Sequence, residues 1–87
     1  MNRDVINKLL HTPSAIYVGK QGITETLLQE LKAQLKKKKA VKVRILKSVE
    51  YIEEVLQELE DQSNGRIAKK VGRTAIIVLP DLIDDSI

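Results

Sequence analysis

Eight consecutive residues, Tyr17-Val18-Gly19-Lys20-Gln21-Gly22-Ile23-Thr24, carry the pattern with the clearest chemical meaning. An apolar run ends in a short loop bracketed by two glycines, and the loop opens into a stretch with helical spacing. Glycine adopts positive φ without penalty and lets the backbone approach a ligand closely. The first N–H groups of the following helix have no internal partner, and the dipole makes that end electropositive. With the Lys20 ammonium beside them, these groups suit a phosphate. The same residues also serve as a tight strand-to-helix turn with no ligand, because short glycine motifs recur by chance.

The densest charge is Lys36-Lys37-Lys38-Lys39. Cations at a helix C-terminus complement the dipole and need no ligand. Four in succession exceed that need and suit a nucleic-acid backbone. The distribution of charge points the same way, since residues 1–47 hold eleven Lys/Arg against three Asp/Glu. Residues 48–65 hold six acids and no base, and residues 66–87 hold four Lys/Arg followed by three Asp. Segregation of this kind matters more than the net charge of +3, because a field needs like charges on one surface.

Other chemistries find little support. The 87 residues include no cysteine, which excludes disulfides, thiolate catalysis and cysteine-ligated metal and predicts a cytoplasmic setting. His11 is the single histidine and reads as a helix-end residue. Glu50, Glu54, Glu58 and Asp61 recur at helical spacing, but with no histidine or apolar pocket in view they read as a solvated acidic face. No cofactor, metal or catalytic role is expected. No apolar run approaches the roughly 18 residues of a membrane span, and the first residues carry no signal-peptide pattern.

The elements that must position these residues follow from periodicity. Val5, Ile6, Leu9 and Leu10 predict a helix from Arg3 to Leu10, ended by His11-Thr12-Pro13. Ala15 to Val18 predicts a strand. Thr24 suits an N-cap, and Leu27, Leu28, Leu31 and Leu35 form one apolar stripe of a second helix that fades near Lys37. Val41, Val43 and Ile45 alternate with Lys42, Arg44 and Leu46, giving a strand with a largely basic opposite face. Ser48 is expected to cap a third helix running to about Asn64 and stopped by Gly65, with Val49, Ile52, Val55, Leu56 and Leu59 inward. Arg66 to Val71 and Thr74 to Leu79 predict a hairpin about Gly72-Arg73 with a type II′ turn, closed by Pro80. The unbroken apolar run Ala75 to Leu79 predicts a strand buried on both faces.

The expected fold is therefore α/β, in the order α-β-α-β-α-β-β, with a mixed four-stranded sheet packed by three helices. Two parallel pairs from the βαβ crossovers and one antiparallel hairpin are anticipated. Residues 1–80 are expected to form one domain, followed by an acidic tail at 81–87 that frays except where Leu82 and Ile83 pin it.

These parts, in this order, resemble a stand-alone CRM domain, the chloroplast RNA splicing and ribosome maturation family, whose bacterial single-domain members are the YhbY-type proteins. Val18-Gly19-Lys20-Gln21-Gly22-Ile23-Thr24 matches the family's hydrophobic-G-x-x-G-[L/I]-T strand-loop-helix. Val41-Lys42-Val43-Arg44-Ile45 resembles its basic strand, and Val71-Gly72-Arg73-Thr74 its I-G-K-T hairpin. The resemblance covers about residues 3–80 and implies a fold similar to the C-terminal domain of bacterial translation initiation factor three. It also implies RNA binding through the glycine loop and adjoining basic residues, with ribosomal precursor particles or intron RNA as partners. The chain departs from the family at Leu79, where many members carry an arginine before proline, and in its acidic rather than basic C-terminal extension.

The functional expectation is a non-catalytic RNA-binding protein acting on structured ribosomal RNA or its precursors in large-subunit assembly. Candidate contacts are Gly19, Lys20, Gln21, Gly22 and Thr24 at the loop. Lys32, Lys36, Lys37, Lys38 and Lys39 follow along the second helix, with Lys42, Arg44 and Arg73 on the strand and hairpin. The chain has no Phe or Trp and only Tyr17 and Tyr51, which argues against RRM-type stacking on a sheet. A KH loop joins two helices, whereas here a strand precedes it. Phosphate and shape are expected to dominate, with stacking minor. The alternative is a protein-interaction adaptor whose acidic third helix docks a basic ribosomal protein. A small-molecule enzyme at the loop lacks a nucleophile–base pair.

Overall fold

The computed structural model describes residues 3–79. They form α1 (Arg3–Leu10), β1 (Ile16–Val18), α2 (Glu25–Lys38), β2 (Ala40–Ile45), α3 (Ile52–Ser63), β3 (Arg66–Val71) and β4 (Thr74–Val78). This is the α-β-α-β-α-β-β order expected from the hydrophobic patterning, and the strands make one mixed sheet ordered β1-β2-β4-β3. The expectations for Pro80, Leu82, Ile83 and the tail fall outside the described residues.

The first crossover yields the parallel pair β1–β2, but the second does not yield another. β4 lies between β2 and β3 and runs antiparallel to both. The composition of the two last strands accounts for this. β4 is buried at every residue after Thr74, whereas β3 exposes all but Ile67. An apolar strand needs cover on both faces, and a charged one blunts an edge. A register shift between Ile67 and Lys69 leaves Ala68 as the extra residue of a bulge in that edge. The Gly72-Arg73 turn has Gly72 at φ 59 while Arg73 has no positive φ, as a type II′ turn requires.

Two helices cover one face of the sheet. Leu31 and Leu35 of α2 and Leu56 and Leu59 of α3 pack on Ile16, Val18, Val41, Val43, Ile45, Ala75 and Ile77. α1 covers part of the other face by setting Ile6, Leu9 and Leu10 against Ala40, Ile76 and Val78. Lys42 fastens the end of α1, since its Nζ donates to the Leu10 carbonyl at 2.7 Å and the Thr12 carbonyl at 2.6 Å. Carbonyls at a helix C-terminus have no partner within the helix and must find one elsewhere.

α3 begins later than its sequence suggests. Its N-cap is Tyr51, with no side-chain cap bond, and Ser48 lies in a turn. Here the Val49 N–H bonds the Leu46 carbonyl at 3.0 Å. Arg73 Nη1 donates to the Leu46 and Val49 carbonyls at 2.8 and 2.9 Å. In a Ser48-capped helix the Val49 carbonyl would have accepted the Glu53 N–H, and the guanidinium claims it instead. The other end differs too. The left-handed residue is Asn64, at φ 62, with its N–H bonded to the Glu60 carbonyl at 3.1 Å. Gly65 has no positive φ; it is glycine because a Cβ there would stand 2.6 Å from Ile77 Cγ2.

Candidate nucleic-acid interface

The glycine loop is a closed turn in which the Gly22 N–H bonds the Gly19 carbonyl at 2.8 Å. Gly22 has φ 75 with open space where a Cβ would stand, so backbone conformation alone calls for glycine. Gly19 faces a neighbour instead, since a Cβ on it would meet Leu46 Cδ1 at 3.3 Å. The Leu46 N–H also bonds the Val18 carbonyl at 2.8 Å, so the β2–α3 connection buttresses the loop. Thr24 caps α2 as expected, its Oγ1 accepting from the Leu27 N–H at 3.1 Å. Lys20 and Gln21 stand exposed at the tip.

Two hollows flank this turn. One, of about 360 Å³, is lined by Tyr17, Thr24 and Leu27; the other, of about 250 Å³, by Ser48, Glu50 and Tyr51. Gly19, Lys20 and Gly22 line both. Because β1 and β2 are parallel and their following helices pack on the same face, α2 and α3 both start at this end of the sheet. Two electropositive helix starts thus open beside Lys20, although Glu50, Glu53 and Glu54 offset the charge on the α3 side.

The lysine run sits at the opposite end of α2, about 20 Å away for a helix of this length. The helix runs one residue past Lys37 to Lys38, and Lys39 caps it in the left-handed conformation at φ 72. The Lys39 N–H bonds the Leu35 carbonyl at 2.8 Å, and its Nζ donates to the Lys36 carbonyl at 3.2 Å. Lys39 therefore serves the helix end, while Lys36, Lys37 and Lys38 are exposed in its last turn. Lys32 is exposed midway along α2.

The remaining candidates divide in two. Arg44 is exposed and lies directly opposite Tyr17 in the β1–β2 register, which brings it beside the loop. Lys42 and Arg73 have their cations on backbone carbonyls, holding α1 and the β2–α3 connection. Two further residues carry no local sequence signal of their position: Leu46, the buttress of Gly19, and Lys69. Register sets Lys69 opposite Ile76, which is itself opposite Lys42, so two lysines flank one apolar residue on the α1 side. Strict alternation from Arg66 would have put Lys69 on the other face; the bulge at Ala68 moves it.

The acidic residues are partly committed to structure. Lys70 Nζ ion-pairs with Glu53, and Glu60 Oε2 accepts the Ile67 N–H at 2.8 Å. Glu54, Glu58 and Asp61 remain on the exposed face of α3. Among the described residues no group of three or more His, Cys, Asp or Glu is placed to hold a metal, and no helix is long and apolar enough to cross a membrane.

A family model, the CRS1 / YhbY (CRM) domain, matches residues 2–78. No curated protein sequence matches the chain. Among solved structures, the solution structure of the hypothetical protein SAV1595 from Staphylococcus aureus, described as a candidate RNA-binding protein, superimposes with a TM-score of 0.72. The two share 18% identity, over 88% of this chain and 81% of that one. At that identity the likeness speaks for the fold.

Proposed function

Because the chain belongs to the CRS1 / YhbY (CRM) domain family, we propose that it is a non-catalytic RNA-binding protein acting on structured ribosomal RNA or its precursors in large-subunit assembly. The observation that carries this reading is the Gly19–Gly22 turn itself. Its φ 75 glycine faces open space, Lys20 is exposed at its tip, and a Thr24-capped helix begins behind it. Backbone N–H groups of this kind bind phosphate without reading sequence. Gly19, Lys20, Gln21, Gly22 and Thr24 form the primary contact, with Arg44 continuing it across the sheet. Lys32, Lys36, Lys37 and Lys38 form a second contact one helix length away, so the RNA must span several nucleotides. Lys39, Lys42 and Arg73 act chiefly by holding that surface in shape.

The test is a salt titration of binding to a structured ribosomal RNA fragment. Log K should fall linearly with log salt, by about 0.7 to 0.9 per neutralised phosphate, and the slope should report several contacts. A flat dependence removes the reading. The exposed line of Glu54, Glu58 and Asp61 favours a second reading, an adaptor for a basic ribosomal protein. Co-purification of one such protein after ribonuclease treatment distinguishes it.

A further inference from the structure

The chain's whole complement of Phe, Trp and Tyr is two tyrosines. They are 34 positions apart in sequence, and each lines one of the two hollows beside the glycine turn. Tyr17 is 51% exposed and Tyr51 is 65% exposed. A single exposed tyrosine is ordinary. Two that share Gly19, Lys20 and Gly22 as common walls are less so, because they flank the residues to which a phosphate is assigned. We infer that the turn grips an unpaired step of RNA, with its phosphate over the turn and the adjacent bases stacked on Tyr17 and Tyr51.

This rests on the RNA-binding reading above and adds the conformation of the RNA. Paired bases already stack on each other and have no free face for a phenol ring. An unpaired base has one, and aromatic rings accept any base on it. The charges agree with the assignment. Lys20 serves both hollows, and Arg44 stands opposite Tyr17, where its planar cation extends the stacking surface. The Tyr51 hollow contains Glu50, which repels phosphate and leaves a neutral base as the group that fits there. Stacking therefore has a larger share of binding than the low aromatic content suggests.

The experiment compares a short single-stranded RNA with a duplex of equal charge, using Tyr17→Leu, Tyr51→Leu and the matching phenylalanine variants. Each leucine should weaken the single strand roughly tenfold, within the range for loss of one stacked base, and leave duplex binding nearly unchanged. Phenylalanine keeps the ring and should recover the affinity that leucine loses. The salt slope should stay constant, since no charge is removed. With no tryptophan present, tyrosine emission of the parent should be quenched by the single strand. Folded leucine variants that bind the single strand as the parent does overturn the stacking assignment. If Lys20→Ala then still weakens both RNAs, the loop reading stands without it; a parent that binds neither RNA removes both.

Discussion

Arg73 and Leu46 are joined across the molecule, the guanidinium Nη1 of one donating to the carbonyl of the other at 2.8 Å. The same Nη1 takes the Val49 carbonyl, and Leu46 lies against Gly19. One side chain in the last hairpin therefore sets both the start of α3 and the wall behind the glycine turn. Arg73→Met should strand the part-buried Val49 carbonyl, while the Leu46 carbonyl keeps the Val49 N–H, and cost about 1–3 kcal/mol. For a domain of this size each kcal/mol lowers Tm by roughly 4–8 °C. RNA affinity should fall at every salt concentration with little change in slope, which separates a positioning role from a phosphate contact. A full unit lost from the slope, with Tm unchanged, would place the guanidinium on the RNA instead.

The two charged helices should respond in opposite ways. Replacing Lys36, Lys37 and Lys38 by glutamine should weaken RNA binding and shallow its salt dependence while barely moving Tm, because all three are exposed. Replacing Glu54, Glu58 and Asp61 by their amides should leave binding unchanged or slightly tighter, since it removes repulsion. Loss of binding in the amide variant puts the exposed acidic face of α3, beyond its Tyr51 end, at the RNA surface and overturns the assignment of Lys36, Lys37 and Lys38.

Charge and backbone shape at the turn should separate. Lys20→Ala removes one cation and should weaken all RNAs about equally, lowering the salt slope by roughly one unit. Gly22→Asp sets a carboxylate where phosphate is assigned and should cost more binding. Its φ of 75 adds about 1 kcal/mol of strain, which circular dichroism melts measure independently. A folded Gly22→Asp protein with parental affinity reduces the loop to a turn.

Gly65 and Gly72 should differ in kind. At Gly65 an added methyl meets Ile77 Cγ2 and, at 3.2 Å, Leu35 Cδ1, both in the core. Gly65→Ala should cost about 1–3 kcal/mol by overpacking. At Gly72 nothing lies near the missing Cβ, so Gly72→Ala should cost only the roughly 1 kcal/mol of a positive φ, and Gly72→Asn less. Equal losses in urea melts would overturn that distinction.

Local information determined much of this protein. Leu9 and Leu10 of α1, the Leu31 and Leu35 stripe of α2, and the alternation of Val41, Val43 and Ile45 each repeat with the period of their own element. Those elements therefore stand where their sequences put them. Thr24 caps α2 through a bond only three residues long, and the resemblance to the family rests on the same short-range strand-loop-helix pattern. What tertiary structure decided were competitions between distant groups. Arg73 took the Val49 carbonyl that a Ser48-capped helix would have used, and β4 took the centre of the sheet because β3 could not bury its charges. The bulge at Ala68 turned Lys69 to the face that Lys42 occupies. Tyr17 and Tyr51 came to flank one turn only because two parallel strands end side by side. Each outcome depends on which donor, or which strand, reaches a shared partner in space, and that partner lies far away along the chain.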